Sequence, residues 1–499
     1  MRTKFLIFFL LIFTGVGYSQ VFTEIHTQLK GVMEPVVEWI DLPGSNHYGV
    51  WISGDAFKNN EHYVISRLNK YKDKDHLVYG DVNLPAVYSG ASASADFDKD
   101  GDDDLVITGL NKYNTPIMRL FKNMGAYRFK EVNVMFKPVV DGSVVWGDYD
   151  QDDDLDLLVT GRDVNNRLST VIYRNDEGVF TETYTGVPGV YFGNADWGFF
   201  DSDGYLDILI TGDAGGQPYS AVYLYRNGVY KKLAQNLIPL KHSFGKFGDL
   251  DGDGDLDIIL SGEDEYGYPD CKVYSNENGV LVQVPTSIRA LKNCTIDLGD
   301  EDHDGDLDIV MTGESMERPY TIVYENLGKF NFRDMMAGIP GISSGIAKWG
   351  NYDGDNDLDL VVAGLTLCYD FIAKVYKNNT NPVVKKEEAA SIFIEAEIPD
   401  YNKGPYYYYV FSSGYCDPSG GDHKDYHLYI SNIHKEFNKY ELTYKFNDLL
   451  LKQVPNWPET DRGHRTSNGF HTYKEAEMSR NQIIDSYKTN GFKIHYLNW

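Results

Sequence analysis

One short segment recurs along this chain at a nearly constant interval. "GDLDGDGDLDIILSG" from Gly248 places five aspartates in nine residues and runs straight into apolar sequence. The arrangement returns as "ADFDKDGDDDLVITG" from Ala95, "GDYDQDDDLDLLVTG" from Gly147, "GFFDSDGYLDILITG" from Gly198, "GDEDHDGDLDIVMTG" from Gly299 and "GNYDGDNDLDLVVAG" from Gly350. The first turn positions fall at 96, 148, 199, 249, 300 and 351, a period of 50 to 52 residues. A decayed copy, "IDLPGSNHYGVWISG" from Ile40, keeps the strand ending but not the acidic ladder. In chain order these copies are units 1 to 7. A period of this length marks a supersecondary unit that buries its faces only by stacking on its neighbours.

Each unit carries four strand patterns, which in unit 3 are "GSVVWGDYD", "LDLLVTG", "LSTVIYRN" and "GVFTETY". The second is apolar throughout (Ile258, Ile259 and Leu260 in unit 5), as suits a strand covered on both faces. Trp146, Trp197, Phe247, Leu298 and Trp349, each just before a turn, are expected to pack between units. Unit 7 stops after its third strand, "FIAKVYKNNT" (371–380), while "VFTEIH" (21–26) is an orphan fourth strand. Pairing the two would close the array and remove its open edges. The expectation is an all-β, seven-bladed β-propeller over residues 20–380, its last blade completed by the N-terminal strand.

Crowded carboxylates repel one another, so such a turn is either a solvated loop or a site completed by a cation. The pattern D-x-D-x-D-G-x-x-D recurs in register, which a merely solvated loop would not require. Hard oxygen donors at positions 1, 3, 5 and 9, with the main-chain carbonyl of position 7, suit calcium. The expected ligands are Asp96, Asp98, Asp100, Asp102 and Asp104 in unit 2, and Asp148, Asp150, Asp152, Asp154 and Asp156 in unit 3. Unit 5 supplies Asp249, Asp251, Asp253, Asp255 and Asp257, and unit 6 Asp300, Asp302, Asp304, Asp306 and Asp308. In unit 7 Asn351 joins Asp353, Asp355, Asp357 and Asp359, which brings the expectation to about five structural Ca2+ sites. Unit 4 has lost its first ligand to Phe199. Position 6 needs φ > 0, which Gly254 adopts freely and Asp153 and Asn356 tolerate. An EF-hand would need Glu at position 12, where these units carry Ile107, Val159, Ile210, Leu260, Met311 and Val362.

The acidic turn leading into an apolar strand resembles the FG-GAP, or VCBS-type, repeat of the integrin α-chain propeller and of many secreted bacterial proteins. The resemblance covers roughly residues 21–380. It implies a seven-bladed propeller with calcium in the first hairpin of several blades, on the face opposite the ligand, so that the ions are structural.

A formal net charge of −28 argues against nucleic acid as a partner, because phosphate binding needs clustered Lys and Arg. Arg2 and Lys4 ahead of the apolar run Phe5 to Phe13, with Gly17 and Ser19 before Gln20, read as a cleaved secretory signal over residues 1–19. The mature chain is then expected outside the cytoplasm, with no inserted membrane segment. Four cysteines are too few to staple a fold of 499 residues.

Binding is expected on the rim away from the acidic turns, where Tyr113, Tyr219, Tyr266, Tyr268 and Tyr320 recur beside polar residues in the connections after the second strands. Aromatic faces with amide and carboxylate neighbours suit a sugar or a protein surface, and hydrophobic capping of the sheets is the competing role. After a linker at 381–391, residues 392–499 read as a Tyr-rich α+β module. The functional expectation is a binding or adhesion protein for glycan or extracellular protein ligands. The alternative is a polysaccharide-degrading enzyme, or its accessory subunit, on the same scaffold; no paired acid and base stand out in the sequence, and no catalytic residue is assigned.

Overall fold

Each repeat becomes one antiparallel four-stranded sheet in the computed structural model. It describes residues 21–41, 46–58, 61–201, 203–316, 318–355, 357–367 and 369–379, then 406–416, 425–436, 446, 449–450, 465–466, 473–489 and 493–497. The expected signal and linker segments lie outside the described residues.

Unit 1 comprises Met33–Asp41, Tyr48–Lys58, Glu61–Asp73 and His76–Gly80, and unit 2 Tyr88–Ala95, Asp104–Leu110, Pro116–Asn123 and Phe129–Val132. Unit 3 comprises Val140–Gly147, Asp156–Arg162, Leu168–Asp176 and Val179–Tyr184, and unit 4 Tyr191–Gly198, Asp207–Asp213, Pro218–Arg226 and Val229–Lys232. Unit 5 comprises Lys241–Gly248, Asp257–Glu263, Pro269–Asn276 and Leu281–Val284, and unit 6 Lys292–Gly299, Asp308–Ser315, Arg318–Asn326 and Phe332–Asp334. Unit 7 comprises Ile342–Gly350, Asp359–Thr366 and Phe371–Asn378. A single bridge, Tyr320 to Ile342, joins the last two sheets.

The N-terminal strand Phe22–Glu24 is the outer strand of unit 7, with Phe22 opposite Asn378 and Glu24 opposite Tyr376. Phe22 is fully buried, its ring centroid 5.9 Å from that of Trp349. The apolar second strands are buried on both faces; Ile107, Val159, Ile210, Leu260, Met311 and Val362 have no exposed surface.

Neighbouring sheets interlock through one recurring contact. The glycine that ends a first strand leaves room for the large residue just before the corresponding position of the next unit. A Cβ on Gly147 would stand 2.6 Å from the Trp197 ring, on Gly198 2.8 Å from Phe247, on Gly248 2.5 Å from Leu298 and on Gly299 3.0 Å from Trp349. The series continues from unit 7 to unit 1, where a Cβ on Gly350 would lie 2.4 Å from the Trp39 indole. The first strands thus pack in sequence and the last meets the first. They enclose a cavity of about 590 Å³.

In the C-terminal region, Arg465–Thr466, Val410–Cys416, Asp425–Ser431 and Lys493–Leu497 form one sheet in that order, and the last two strands are parallel. The helix Tyr473–Thr489 covers it with Ile483 and Ile484 against Leu428 and Ile430. Its Arg480 donates Nε–H to the Ser431 carbonyl at 2.6 Å.

Candidate metal turns and candidate binding face

The acidic turns share one geometry. The first Asp accepts hydrogen bonds from the main-chain N–H groups of positions 5 and 6: Asp96 from Asp100 (3.0 Å) and Gly101 (2.9 Å), Asp249 from Asp253 (3.2 Å) and Gly254 (3.0 Å), Asp300 from Asp304 and Gly305 (both 3.0 Å). This fold needs a left-handed residue at position 6, and Asp153 takes φ = 70° where its neighbours use glycine. The ninth-position Asp is buried at the strand start and joins two chain segments. Asp257 accepts the N–H of Asn276 (2.9 Å) and of Leu250 (2.8 Å), and Asp308 those of Asn326 and Glu301 (both 2.8 Å).

In the turns of units 2, 3 and 5, carboxylate oxygens of positions 1, 3 and 9 converge within 4.8 Å of one another, and in unit 6 those of positions 1, 3 and 5. Several Asp-rich groups are therefore able to hold a metal ion. The donors are all hard oxygens, and Asp104 Oδ2 is buried without a hydrogen-bond partner. Burial is the main cause that pushes the carboxyls of Asp104, Asp156 and Asp257 up to about 7 and those of Asp308 and Asp359 to about 8. A cation would reverse that preference by favouring the ionised form.

Basic side chains divide the turns. Lys122 pairs with Asp98 and, at 2.9 Å, with Asp100, and Arg174 with Asp150 at 2.8 Å. In unit 7 Lys377 pairs with Asp353 and, at 2.9 Å, with Asp355. In unit 4, which lacks the first ligand, Arg226 spans Asp201 and Asp203. A guanidinium suits that place because its planar fork meets two carboxylates at once. The third-strand place held by Lys122, Arg174 and Lys377 is taken in unit 5 by Ser275, which bonds Glu277 at 3.2 Å instead.

An asparagine near the end of the third strand also belongs to this framework. Asn276, Asn326 and Asn378 are buried, and their side-chain amides donate to Phe200 (2.8 Å), Leu250 (3.0 Å) and Glu301 (2.9 Å), the second turn position of the preceding unit. In the sequence an Asn stands 18 or 19 residues after the ninth-position Asp of units 2, 3, 5, 6 and 7, while Tyr225 takes its place in unit 4.

The opposite face bears the connections after the second strands. Tyr113, Tyr266 and Tyr268 are 75%, 75% and 69% exposed there. Tyr219 and Tyr320 lie instead within third strands. Tyr219 bonds the Tyr223 hydroxyl at 2.7 Å, and Tyr320 is only 9% exposed with Arg289 over its ring.

At the same end, every first strand breaks register with its partner through a bulge. The residue in the bulge is left-handed in each unit: Glu34 (φ 48°), Ser89 (47°), Asp141 (53°), Phe192 (46°), His242 (46°), Asn293 (47°) and Ser344 (45°). These residues ring one mouth of the central cavity. Asp141 pairs with Arg162, whose cation offsets the upward push of burial on that carboxyl. Behind His242, Glu263 receives Lys292 at 3.1 Å and Lys241 at 3.3 Å. Four residues further along each first strand, roughly 13 Å, lies a second belt: Asp196, Lys246, Asp297, Lys348 and Glu38 alternate in sign over five consecutive units. Lys348 pairs with Glu38, and Lys246 with Asp196 at 3.7 Å. Burial pushes the Asp297 carboxyl up against the pull of Lys246 and Lys348.

Sheets stacked around an axis, with aspartate-rich hairpins on one face, define a β-propeller. More particularly, a family model described as FG-GAP-like repeat matches residues 96–159 and 200–260, so FG-GAP-like repeats occupy those stretches. No curated protein matches it significantly. Among solved structures, the BP39L lectin of Burkholderia pseudomallei is similar at 10% identity over 71% of this chain and 98% of that one, with a TM-score of 0.47. The Aleuria aurantia lectin, a six-bladed β-propeller, is 12% identical over 60% and 98%, with a TM-score of 0.36. The V. cholerae biofilm matrix protein Bap1 is 13% identical over 71% and 89%, with a TM-score of 0.34. Likeness of this degree carries no argument about function.

Proposed function

We propose that this chain is a secreted, calcium-stabilised, seven-bladed β-propeller that binds glycan or extracellular protein ligands, with an α+β module over residues 392–499. The reading rests on one observation above all: the two faces differ in kind. The end of the strands that bears the acidic turns gathers several Asp-rich groups able to hold a metal ion. The other end presents exposed Tyr113, Tyr266 and Tyr268 and a mouth lined by mixed polar and aromatic side chains. Calcium is the ion that oxygen donors at this spacing suit, and its task here is to hold the hairpins rather than to touch ligand.

The test is to screen the purified full chain against glycan and surface-protein arrays, with calcium and after chelation. A ligand retained as long as the protein stays folded supports a structural ion. Binding that disappears on chelation while the fold persists would place the ion in the binding site and overturn that division of labour.

A further inference from the structure

Phe192 is the residue in the central cavity whose conformation most needs a reason. A bulky side chain at φ = 46° is disfavoured, and this one is 44% exposed, so its ring gains little from burial. The backbone had an easier solution. In units 2, 3, 4 and 7 the next residue is glycine, needed because a Cβ there would lie 1.9 to 2.3 Å from a carbonyl oxygen of the second strand. Glycine is thus used for close approach, while a full side chain is kept at the left-handed position beside it.

The backbone at this position repeats from unit to unit but the side chains do not. A carboxylate, an aromatic ring, an imidazole and an amide stand where symmetry would allow one residue type. A ring of equal backbones with unequal side chains suits one asymmetric molecule lying across the axis, rather than one ligand per unit. The cavity volume of about 590 Å³ is of small-ligand size.

The chemistry narrows the class. Asp141 is already paired with Arg162, and Glu263 with Lys241 and Lys292, while Glu34 accepts the Ser89 hydroxyl, so a charged ligand at the two ion-paired carboxylates would have to displace an existing partner. A neutral polyhydroxylated molecule would not, since carboxylate and guanidinium or ammonium groups in such pairs keep lone pairs and N–H groups for neighbouring hydroxyls. The Phe192 ring stands among aromatic neighbours, with Tyr191 at 4.9 Å and His242 edge-on at 5.0 Å, and supplies an apolar platform for the C–H face of a pyranose. We infer that the axial mouth is a binding site for a single neutral saccharide end, seated on Phe192 and hydrogen-bonded by Asn293 and the Asp141–Arg162 pair. The inference rests on the glycan half of the proposed function.

Calorimetric titration of the calcium-loaded full chain with fucose, galactose, mannose and N-acetylglucosamine, with glucuronate and glucosamine as charged controls, tests it. One of the neutral sugars should bind. Phe192→Gly removes both the ring and the strain, so affinity should fall roughly tenfold or more while the melting temperature holds or rises. Asn293→Ala should weaken binding in a folded protein as well. If a sugar binds and neither variant weakens it, while Tyr266→Ala with Tyr268→Ala does, the axial site is wrong and the glycan reading survives. If only a charged sugar binds, the assignment to neutral saccharides falls. If no sugar binds the native chain, the glycan reading itself fails and this site with it.

Discussion

Trp39 donates its indole N–H to the carbonyl of Lys348 at 3.3 Å, across 309 residues of sequence. Trp146 makes the same bond to Ala93 at 3.2 Å between consecutive units. The contact that joins the ends of the array thus repeats one used within it, so closure needs no special element beyond the borrowed strand. Gly350 makes room for it, and Gly350→Ala should force the Trp39 ring aside. A loss of about 1–3 kcal/mol is expected for overpacking, read as a lower melting temperature; an unchanged value would mean that the first and last units are not tightly engaged in solution.

The N-terminal strand offers an independent test of closure. Phe22 is fully buried against Trp349, whereas its neighbour Thr23 is exposed. Phe22→Ala should cost about 3–5 kcal/mol and Thr23→Ala only a few tenths. Denaturant titration of the two variants decides it, and equal stability would detach the strand from unit 7.

If the acidic turns hold calcium, stability should follow opposite pH trends with and without it. In the metal-free protein the carboxyls near 7 and 8 are raised above their ordinary value of 3.8, so the stability they contribute is full below 3.8 and is lost progressively as pH rises from there to 7 or 8. Melting temperature in EDTA should therefore fall from pH 5 to pH 8. With calcium, protons and metal compete for the same oxygens, so the stabilisation on adding calcium should grow over that interval. Parallel curves in the two conditions would remove calcium from these turns.

Units 4 and 5 should respond differently to mutation. Asp249→Ala removes the first-position carboxylate of a turn with no basic partner at Asp249, Asp251 or Asp253 among the described residues, so it should lower the melting temperature more in calcium than in EDTA, where only its hydrogen bonds from the Asp253 and Gly254 N–H groups are lost. Arg226→Gln removes the cation that bridges Asp201 and Asp203, and should cost roughly 1 kcal/mol with or without calcium. If Arg226→Gln is silent in both conditions, the guanidinium is not what neutralises that turn.

On the rim, Tyr266 and Tyr268 project from a turn whose backbone is held by Asp264, which accepts both of their N–H groups at 2.9 Å. Replacing both rings with alanine should shift the melting temperature by less than about 2 °C, because little buried area is lost. A larger drop in a thermal scan would show that they cap the sheet.

Much of this architecture was readable before any coordinate. The period of about fifty residues, the strand pattern within it, the acidic ladder and the orphan strand at Val21 are local or periodic features. Each is imposed by backbone geometry and side-chain alternation, and repetition averages away the ambiguity of any one copy. Which tyrosines face solvent, and what surrounds the axis, were settled only by the tertiary structure. Tyr219 and Tyr320 directly follow the proline at the start of a third strand, whereas Tyr113 precedes Pro116 by three residues, and their exposure depends on how strands pair and units pack. The left-handed ring arises from a bulge set by register, and its side chains differ from unit to unit, so no periodic signal marks them. The same holds for the belt of Asp196, Lys246, Asp297, Lys348 and Glu38. These residues lie about fifty positions apart along the chain or at its two ends, and their charges meet only because sheets that stack with a constant turn bring the first unit back against the last.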